Sequence, residues 1–353
     1  MTYSRSGWAR LALFIQNFVL FFVTAAFYVS LTWIVPERLS VIIEPGRGEP
    51  QEFVVEPGMG ALDIARLAKR EGLTDSPSDL ARFFFKLGID RSIRPGIYRI
   101  RPGSPWEIAR QIERSEPEIS SMTIIPGESL PEIAQKIGDT IHVAIQKDSL
   151  FPEEVRRFLP ADPLSRLAFL LPDTYSVSPT VWAAEELIKS ASFAWWKRVG
   201  SRIEEELALD SKNLLKTAIL ASMIEKEARQ EKEKKIIAGV ILNRERSGMK
   251  LQIDATVVYA WALRGLSLKR VLYSHLEIDS PYNTYLYPGY PPAPICVPSA
   301  SSWDAALNPD FVPYMYYVAR PDGSHFFSVS YNEHLGAIKR ARSEFDSLMN
   351  TPE

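Results

Sequence analysis

A glutamate stands in a stretch of sequence that is otherwise apolar and has the periodicity of a helix. Within residues 216–229, Glu227 follows Leu220, Met223 and Ile224 at intervals of seven, four and three residues. At about 100° per residue, these four side chains lie on one face of a helix. A carboxyl group among such neighbours is partly desolvated, and desolvation raises its pKa. The pattern therefore predicts a carboxylic acid that can donate a proton near neutral pH.

A purely structural interpretation of the same residues stays open. Glu225 and Glu227 are also typical of the point where a core helix emerges into solvent, because the charged run 230–235 follows at once. Glu225 lies on the opposite side of the helix, near Ala218 and Ala221. At most one of the two glutamates therefore shares the bulky apolar face.

The composition argues against several kinds of function. The 353 residues suffice for two compact domains. With a formal net charge of −2, no overall positive field favours nucleic acid as a partner. The single cysteine, Cys296, excludes an internal disulfide. No paired Cys/His spacing supports a metal site, and none is expected at His325 and His334.

The N-terminal region contains a predicted membrane span. Residues 11–35 are strongly apolar, and residues 18–35 carry no charge, close to the roughly 20 residues needed to cross a bilayer. Arg5 and Arg10 precede this segment, which predicts a cytoplasmic N-terminus and a single-pass anchor in the plasma (inner) membrane, with the rest of the chain outside the cytoplasm. A cleaved signal peptide with a small-residue site at 24–26 is the alternative. The apolar run continues past that site, which favours an uncleaved anchor.

Three segments share a Pro-Gly turn that is followed by a short amphipathic helix. The turns are Pro57-Gly58, Pro102-Gly103 and Pro126-Gly127. Pairing of residues 53–55 with 96–100, backed by helices at 62–70 and 80–87, predicts a small α+β module. Such a module resembles the LysM-like domain of cell-wall proteins, which binds glycans containing N-acetylglucosamine. A spacer without ligand is the alternative.

The predicted fold class is α+β, in three parts. Residues 1–37 form the tail and anchor, residues 38–121 the LysM-like module, and residues 122–353 a larger mixed α/β domain. The expected elements of the larger domain are helices at 183–199, 216–229 and 234–247, a helix with Asp254 as its cap, a hairpin of 314–318 with 325–329, and a closing helix at 332–349.

Polar side chains after the glutamate helix are candidates to line a groove. Arg244 continues an apolar face formed by Ile237, Val240 and Ile241. Such an arginine either extends to water or binds a carboxylate. Further candidates at the start of the next helix are Gln252, Asp254, Thr256 and Tyr259.

The loop at 280–294 is rich in aromatic and proline residues and poor in helix formers. Such a loop loses much conformational freedom unless it packs on protein or lines a pocket. Aromatic rings with hydroxyl and amide groups between them suit sugars, whose faces are apolar and whose rims are polar. The candidates are Tyr282, Asn283, Thr284 and Tyr285. The alternative is that these side chains cover a hydrophobic core.

With these motifs, the chain resembles the endolytic murein transglycosylase family, also called YceG-like or MltG-type. The resemblance is carried, in order, by residues 172–175, 220–227, 241–244, 251–259, 282–285, 316–318 and 325–326. One departure is Ala293, which stands where the family usually has glycine, and it bears on the conformation of the loop.

The resemblance implies that Glu227 is the catalytic residue and that the other candidates line a glycan cleft. These substrate-binding candidates are Glu225, Asn243, Arg244, Gln252, Asp254, Thr256, Tyr259, Tyr282, Asn283, Thr284 and Tyr285.

The implied reaction cleaves the β-1,4 bond between N-acetylmuramic acid and N-acetylglucosamine without water. Glu227 acts first as acid on the departing oxygen and then as base on the C6 hydroxyl of the muramic acid, which forms a 1,6-anhydro end. No metal or organic cofactor is required. The implied partners are peptidoglycan strands, the bilayer through residues 11–35 and peptidoglycan synthases, with a role in terminating strand elongation.

Two other functions remain open. One is a non-catalytic scaffold that binds peptidoglycan within the elongation or division machinery. The other is a water-using muramidase, in which Asp254 or Asp173 supplies the second carboxylate that ordinary glycoside hydrolases need.

Overall fold

The computed structural model describes residues 48–206 and 210–349, together with Val19, Val23 and Thr24. The rest of the predicted membrane segment, residues 11–35, lies outside the described residues. Among the residues that the structure describes, no helix is long and apolar enough to cross a bilayer.

The described chain forms two compact units. One consists of residues 48–119 with 178–180, and the other of residues 120–177 with 181–349. The chain passes from the first unit to the second after residue 119, whereas the sequence places the boundary after residue 121. Both units combine helices with two-stranded antiparallel sheets, so the fold is α+β, as predicted.

The first unit has the order β-α-α-β, followed by a third helix. Strand β1 (Gln51–Val55) pairs with β2 (Gly96–Ile100), as predicted, and Phe53 lies opposite Tyr98. The helices are α1 (Ala61–Arg70), α2 (Pro77–Leu87) and α3 (Pro105–Arg114). Their inward side chains form one apolar core with both strands.

The second unit is mainly helical. Its α-helices are α4 (Leu130–Ile137), α5 (Thr140–Ala144), α6 (Glu153–Arg156), α7 (Ala183–Trp195), α8 (Ser201–Glu206), α9 (Ser211–Glu227), α10 (Lys234–Arg246), α11 (Asp254–Ala262), α12 (Ala300–Leu307) and α13 (Tyr331–Met349). A π-helical stretch, Trp196–Gly200, joins α7 to α8, and 3-10 helices occur at Asp148–Leu150, Pro163–Phe169, Glu231–Glu233 and Tyr273–Glu277. The strands pair as β3 (Ser120–Ile124) with β4 (Asp173–Val177) and β5 (Tyr316–Ala319) with β6 (His325–Ser328).

Helix α9 runs through the core of the second unit. The Asp210 carboxylate accepts a hydrogen bond from the Asn213 N–H at 2.7 Å and so caps the first turn. Leu214, Met223 and Ile224 are 0% exposed. Burial of one such side chain stabilises the fold by about 1.5–3 kcal/mol. The helix, and the glutamate at its C-terminal end, are therefore fixed by packing.

Helix α11 does not begin as the sequence predicts. Asp254, expected as the cap, is the first helical residue, and Ile253 occupies the cap position. The chain enters from Gln252, whose φ of 51° is the only positive value for a non-glycine residue in the described part of the chain. The Ile253 N–H donates to the Thr284 Oγ at 2.9 Å. The Asp254 carboxylate is therefore not used as a cap. Ala293, which stands where the family usually has glycine, does not adopt a left-handed backbone conformation.

Gly239 allows a close approach between α10 and the segment that leads to β5. A Cβ at this position would collide with the Asp310 carbonyl oxygen and lie 2.8 Å from the Val312 Cγ2. In a helix interior, glycine is less stable than alanine by about 1 kcal/mol. The contact with residues 310–312 therefore explains a residue that helix propensity disfavours.

We expect Gly239→Ala to destabilise the protein by about 1–3 kcal/mol, because the added methyl group overpacks the contact. Gly336→Ala is the matched control. Gly336 lies inside α13 with nothing within 4 Å of its Cβ position, so alanine should stabilise by about 0.5–1 kcal/mol. Denaturant unfolding measures both, and equal shifts of the two variants would contradict the packing argument.

Candidate active site

Glu227 ends α9, and its carboxyl group contacts two other elements of the second unit. The Tyr317 hydroxyl in β5 donates to its Oε2 at 2.9 Å. The backbone N–H of Ala255, in the first turn of α11, also donates to this carboxyl. The first N–H groups of a helix have no partner within the helix, and its N-terminus favours negative charge. Glu227 thus supplies an acceptor that α11 itself lacks.

Burial raises the pKa of Glu227 from 4.5 to about 7. The Tyr317 hydroxyl, the Arg244 guanidinium and the Ala255 N–H lower this pKa, while the negative charge of Asp254 raises it. The residue is only partly exposed, so protein replaces much of its hydration while solvent still reaches it. The carboxyl group therefore carries a proton for much of the time near neutral pH.

Asp254 and Tyr285 lie beside this carboxyl group. The Tyr285 hydroxyl donates to the Asp254 Oδ1 at 2.5 Å. The negative charges of Asp254 and Glu227 both raise the pKa of Tyr285, after the larger effect of burial. Gln252, two residues before Asp254, is exposed and donates its backbone N–H to the Thr284 oxygen at 3.1 Å. Among the predicted substrate-binding residues, Asp254 and Tyr285 are the ones with accessible polar groups beside Glu227.

Arg244 takes neither of the two roles considered from the sequence. The residue is 8% exposed and donates to the Met315 oxygen at 2.7 Å and the Leu251 oxygen at 2.5 Å. Its side chain therefore does not extend to water, and within the described part of the chain it forms no ion pair with a carboxylate. The guanidinium carbon lies 5.5 Å from the Tyr316 ring centroid and 5.8 Å from that of Tyr317. Arg244 therefore fixes the backbone that leads into β5 and places a positive charge near Glu227.

Asn243 has a similar structural position. Its side-chain amide donates to the Val312 oxygen at 2.7 Å and the Tyr314 oxygen at 3.0 Å. Both hydrogens of the amide are thus used by the segment before β5. The prediction that this amide donates to a glycan is not supported by its position.

Glu225 is bound to the start of α12. Its Oε2 accepts from the Ser299 N–H at 2.9 Å and from the Ser302 hydroxyl at 2.6 Å. The Lys234 ammonium lies 3.6 Å away, and the Glu225 and Lys234 side chains are 9% and 4% exposed. Only Glu227 lies on the predicted apolar face. Glu225 joins α9 to the start of α12, so its position does not support the prediction that it binds substrate.

Thr256 and Thr284 are also buried, at 0% and 1% exposure. The Thr256 hydroxyl donates to the Ile253 oxygen at 2.7 Å and lies 2.9 Å from the Thr284 hydroxyl. The two threonines join the start of α11 to the 280–294 loop. Neither can touch a sugar in this structure, contrary to the prediction.

The same applies to most of the aromatic loop. Asn283 is 0% exposed, and its amide donates to the Leu276 and Ile278 oxygens at 2.8 and 2.9 Å. Tyr282 is 6% exposed and packs edge to face on Tyr259 of α11, with centroids 4.9 Å apart. For Asn283 and Tyr282 the core-covering alternative is the one observed, whereas Tyr259, at 4% exposure, is one of the residues that line a groove. Only Tyr285 extends from the loop toward Glu227.

A groove of about 220 Å³ lies near Glu227, although Glu227 itself is not among its lining residues. Lys226 and Ala255, which line it, are respectively the chain neighbour and a hydrogen-bond donor of Glu227. The other lining residues are Ser129, Pro131, Glu132, Gln135, Val258, Tyr259, Ala262, Gly265, Leu266, Ser267 and Ile295. A lining that mixes apolar and polar side chains suits a sugar chain.

Sequence reasoning missed two donors to Glu227. Tyr317 lies 90 residues away along the chain, and the second donor is a backbone N–H of Ala255. The two adjacent tyrosines at 316–317 in the predicted hairpin could have indicated the Tyr317 donor. A backbone N–H donor cannot be predicted from residue types.

The raised pKa predicts a pH-dependent stability difference between wild type and Glu227→Gln. The folded pKa of about 7 exceeds the ordinary glutamate pKa of 4.5, so wild type loses stability as pH rises from 4.5 toward 7, because the unfolded chain ionises first. Gln does not titrate. We expect similar stabilities near pH 4 and a variant more stable by about 2–3 kcal/mol at pH 8. Denaturant unfolding across this range checks it, and a pH-independent difference would contradict it.

Comparisons with known proteins identify the family of the chain. A sequence model of the YceG-like family matches residues 53–340. The chain is 29% identical over 335 residues to the endolytic murein transglycosylase of Bacillus subtilis, covering 88% of this chain and 89% of that protein. It is 25% identical over 314 residues to the protein of that name in Streptococcus pneumoniae, covering 79% of this chain and 56% of that protein.

A solved structure shows the same fold. The crystal structure of a yceG-like protein from Listeria monocytogenes matches 82% of this chain and 99% of that chain, with 26% sequence identity and a TM-score of 0.50. The family match covers most of the sequence, including the helix with Glu227 and the hairpin with Tyr317. The chain therefore belongs to the YceG-like family.

Proposed function

We propose that the chain is an endolytic murein transglycosylase, a lyase that cuts peptidoglycan strands within their length. The observation that carries the proposal is the Glu227 carboxyl group, which is partly exposed, has a pKa of about 7 and lies next to Lys226 and Ala255, two residues that line a groove. A general acid works best when its pKa lies near the working pH. The names of the relatives supply the substrate and the reaction class.

The first step of the proposed reaction is proton donation by Glu227. Protonated Glu227 gives its proton to the glycosidic oxygen that leaves with N-acetylglucosamine, and the bond from this oxygen to C1 of N-acetylmuramic acid breaks. The Tyr317 hydroxyl and the Ala255 N–H hydrogen-bond the resulting carboxylate and stabilise it.

The second step closes the ring and restores the acid. The C6 hydroxyl oxygen of the muramic acid bonds to C1, and its proton passes to the Glu227 carboxylate. The product is a 1,6-anhydro end, and no water is consumed. The negative charge of Asp254 favours the positive charge that develops at C1 and keeps the pKa of Glu227 high.

The proposal also includes attachment to the membrane through the N-terminal segment and glycan binding by the first unit. The uncharged stretch 18–35 supports an anchor in the plasma membrane, with the catalytic unit on its outer side. The β-α-α-β order of the first unit supports a LysM-like glycan-binding module. A tethered enzyme of this kind would cut strands near the membrane and terminate their elongation.

We expect Glu227→Gln to reduce strand cleavage by about 10²–10⁴-fold, because it removes the proton donor. Glu154→Gln is the matched control. Glu154 is an exposed glutamate that is not among the charges acting on Glu227, so the variant should cut like wild type. Digestion of purified sacculi by the full chain, followed by mass analysis of muropeptide ends, measures rate and product together.

The product ends separate this proposal from its rivals. Anhydro ends from wild type that disappear with Glu227→Gln support the lytic reaction. Reducing muramic acid ends would instead identify a hydrolase, with Asp254 or Asp173 as the second carboxylate. Strand binding without any change in length would identify a scaffold. Equal anhydro product from wild type and Glu227→Gln would show that another residue is the acid.

Two substitutions beside Glu227 should move the pH profile in opposite directions. The rate falls above the pKa of the acid, about 7. Tyr317→Phe removes a hydrogen bond that stabilises the carboxylate, so the alkaline limb should move to higher pH. Asp254→Asn removes a negative charge, so the limb should move to lower pH. Initial rates from pH 5 to 9 check this, and shifts of the same sign would contradict the assignment.

A further inference from the structure

The hairpin that carries Tyr317 is fixed by a buried pair formed by Glu233 and His325. The His325 Nδ1 lies 2.7 Å from the Glu233 Oε2, and the His325 N–H donates to the Glu233 Oε1 at 3.2 Å. A carboxylate only accepts hydrogen bonds, so Nδ1 carries the hydrogen. Both carboxylate oxygens thus bind one residue of β6. The two side chains are only 5% (His325) and 8% (Glu233) exposed.

The histidine of this pair touches the tyrosine that binds Glu227. The His325 and Tyr317 rings pack edge to face, with centroids 5.5 Å apart and an interplanar angle of 89°. In the β5–β6 register, Ala319 lies opposite His325, which places Tyr317 just beyond the pair. The Tyr317 hydroxyl then reaches Glu227 at 2.9 Å.

Glu233 of the pair is connected along the chain to helix α9, which carries Glu227. Glu233 follows Glu227 by six residues and ends the short 3-10 helix Glu231–Glu233. Gln230, between them, donates its side-chain amide to the Asp322 oxygen at 3.2 Å. The segment directly after Glu227 therefore binds the hairpin at its turn and at β6. Chain connectivity and contacts together close a ring from Glu227 through Glu233, His325 and Tyr317 back to Glu227.

We propose that Glu233 and His325 are positioning residues, which hold the β5–β6 hairpin where the Tyr317 hydroxyl can donate to Glu227. This inference rests on the proposed function, since its readout is strand cleavage. Burying a charged or polar group without a partner is unfavourable, so such a pair keeps one geometry. A single geometry is what a catalytic hydrogen bond needs, because a displacement of about 1 Å weakens it strongly.

Other charges around Glu227 and the pair stay in place when the pair is changed. Arg244, Asp254 and Tyr285 face Glu227 from α10, α11 and the loop at 280–294. Arg320, in the turn between β5 and β6, interacts with the charge of Glu233, which is itself not among the charges that act on Glu227. Since none of these is removed, a change in the pH profile reports the position of Tyr317.

The test is the pH profile of strand cleavage by the full chain carrying Glu233→Gln or His325→Asn. Gln keeps the shape of Glu233 without its charge, and Asn keeps a donor near Nδ1 without the ring. Each should move the alkaline limb to higher pH, in the direction of Tyr317→Phe and by no more than that variant. In a Tyr317→Phe background, neither should move the limb further.

His334→Asn is the matched control. His334 stacks on Tyr316, with centroids 5.1 Å apart, and Tyr316 makes no hydrogen bond to Glu227. This variant loses an equivalent ring and should leave the limb in place. Glu233→Asp, which keeps the charge but shortens the side chain, covers the case in which Glu233→Gln does not fold. It should shift the limb in the same direction by a smaller amount.

Three results would overturn the inference. They are an unchanged limb in the pair variants, a shift that adds fully to that of Tyr317→Phe, and an unchanged limb in Tyr317→Phe itself. Failure of the proposed function looks different, because wild type would then release no anhydro ends at any pH.

Discussion

The enclosure of one carboxyl group against the start of a helix is the constraint on which the rest of the catalytic unit depends. Burial alone would keep Glu227 protonated, while the hydrogen bonds from Tyr317 and Ala255 alone would keep it ionised. The two effects oppose each other and leave the pKa at about 7. A group that must first give and then take a proton needs such a balance, because either extreme would block one of the two steps.

Much of the polar apparatus around the site supports irregular backbone. The segments before β5 and around residue 280 lack strand partners, so their buried carbonyl groups need donors from side chains. Asn243 and Arg244 supply donors to residues 312–315, and Asn283 supplies them to residues 276 and 278. The position of Tyr317 and the path of the aromatic loop follow from these bonds. Side chains that look suited to a ligand are here required by the fold.

The sequence predicted the parts of this arrangement that depend on periodicity. The apolar face of α9, the pairing of β1 with β2 and the terminal hairpin all follow from repeating patterns over neighbouring residues. Composition did not separate an amide that faces a ligand from one that faces a carbonyl, so Asn283 and Thr284 were expected in the cleft. Asp254 was expected as a cap, because a left-handed Gln252 cannot be read from residue type.

Glu225 and Glu227 lie on the same helix but have different roles. Glu225 accepts hydrogen bonds from the Ser299 N–H and the Ser302 hydroxyl and lies beside Lys234, so its Oε2 is bound to the start of α12. Glu227 accepts from a phenol and one backbone N–H, and the negative charge of Asp254 raises its pKa. The partners of each carboxyl group, rather than burial itself, distinguish the glutamate that joins two helices from the one that we propose as the proton donor.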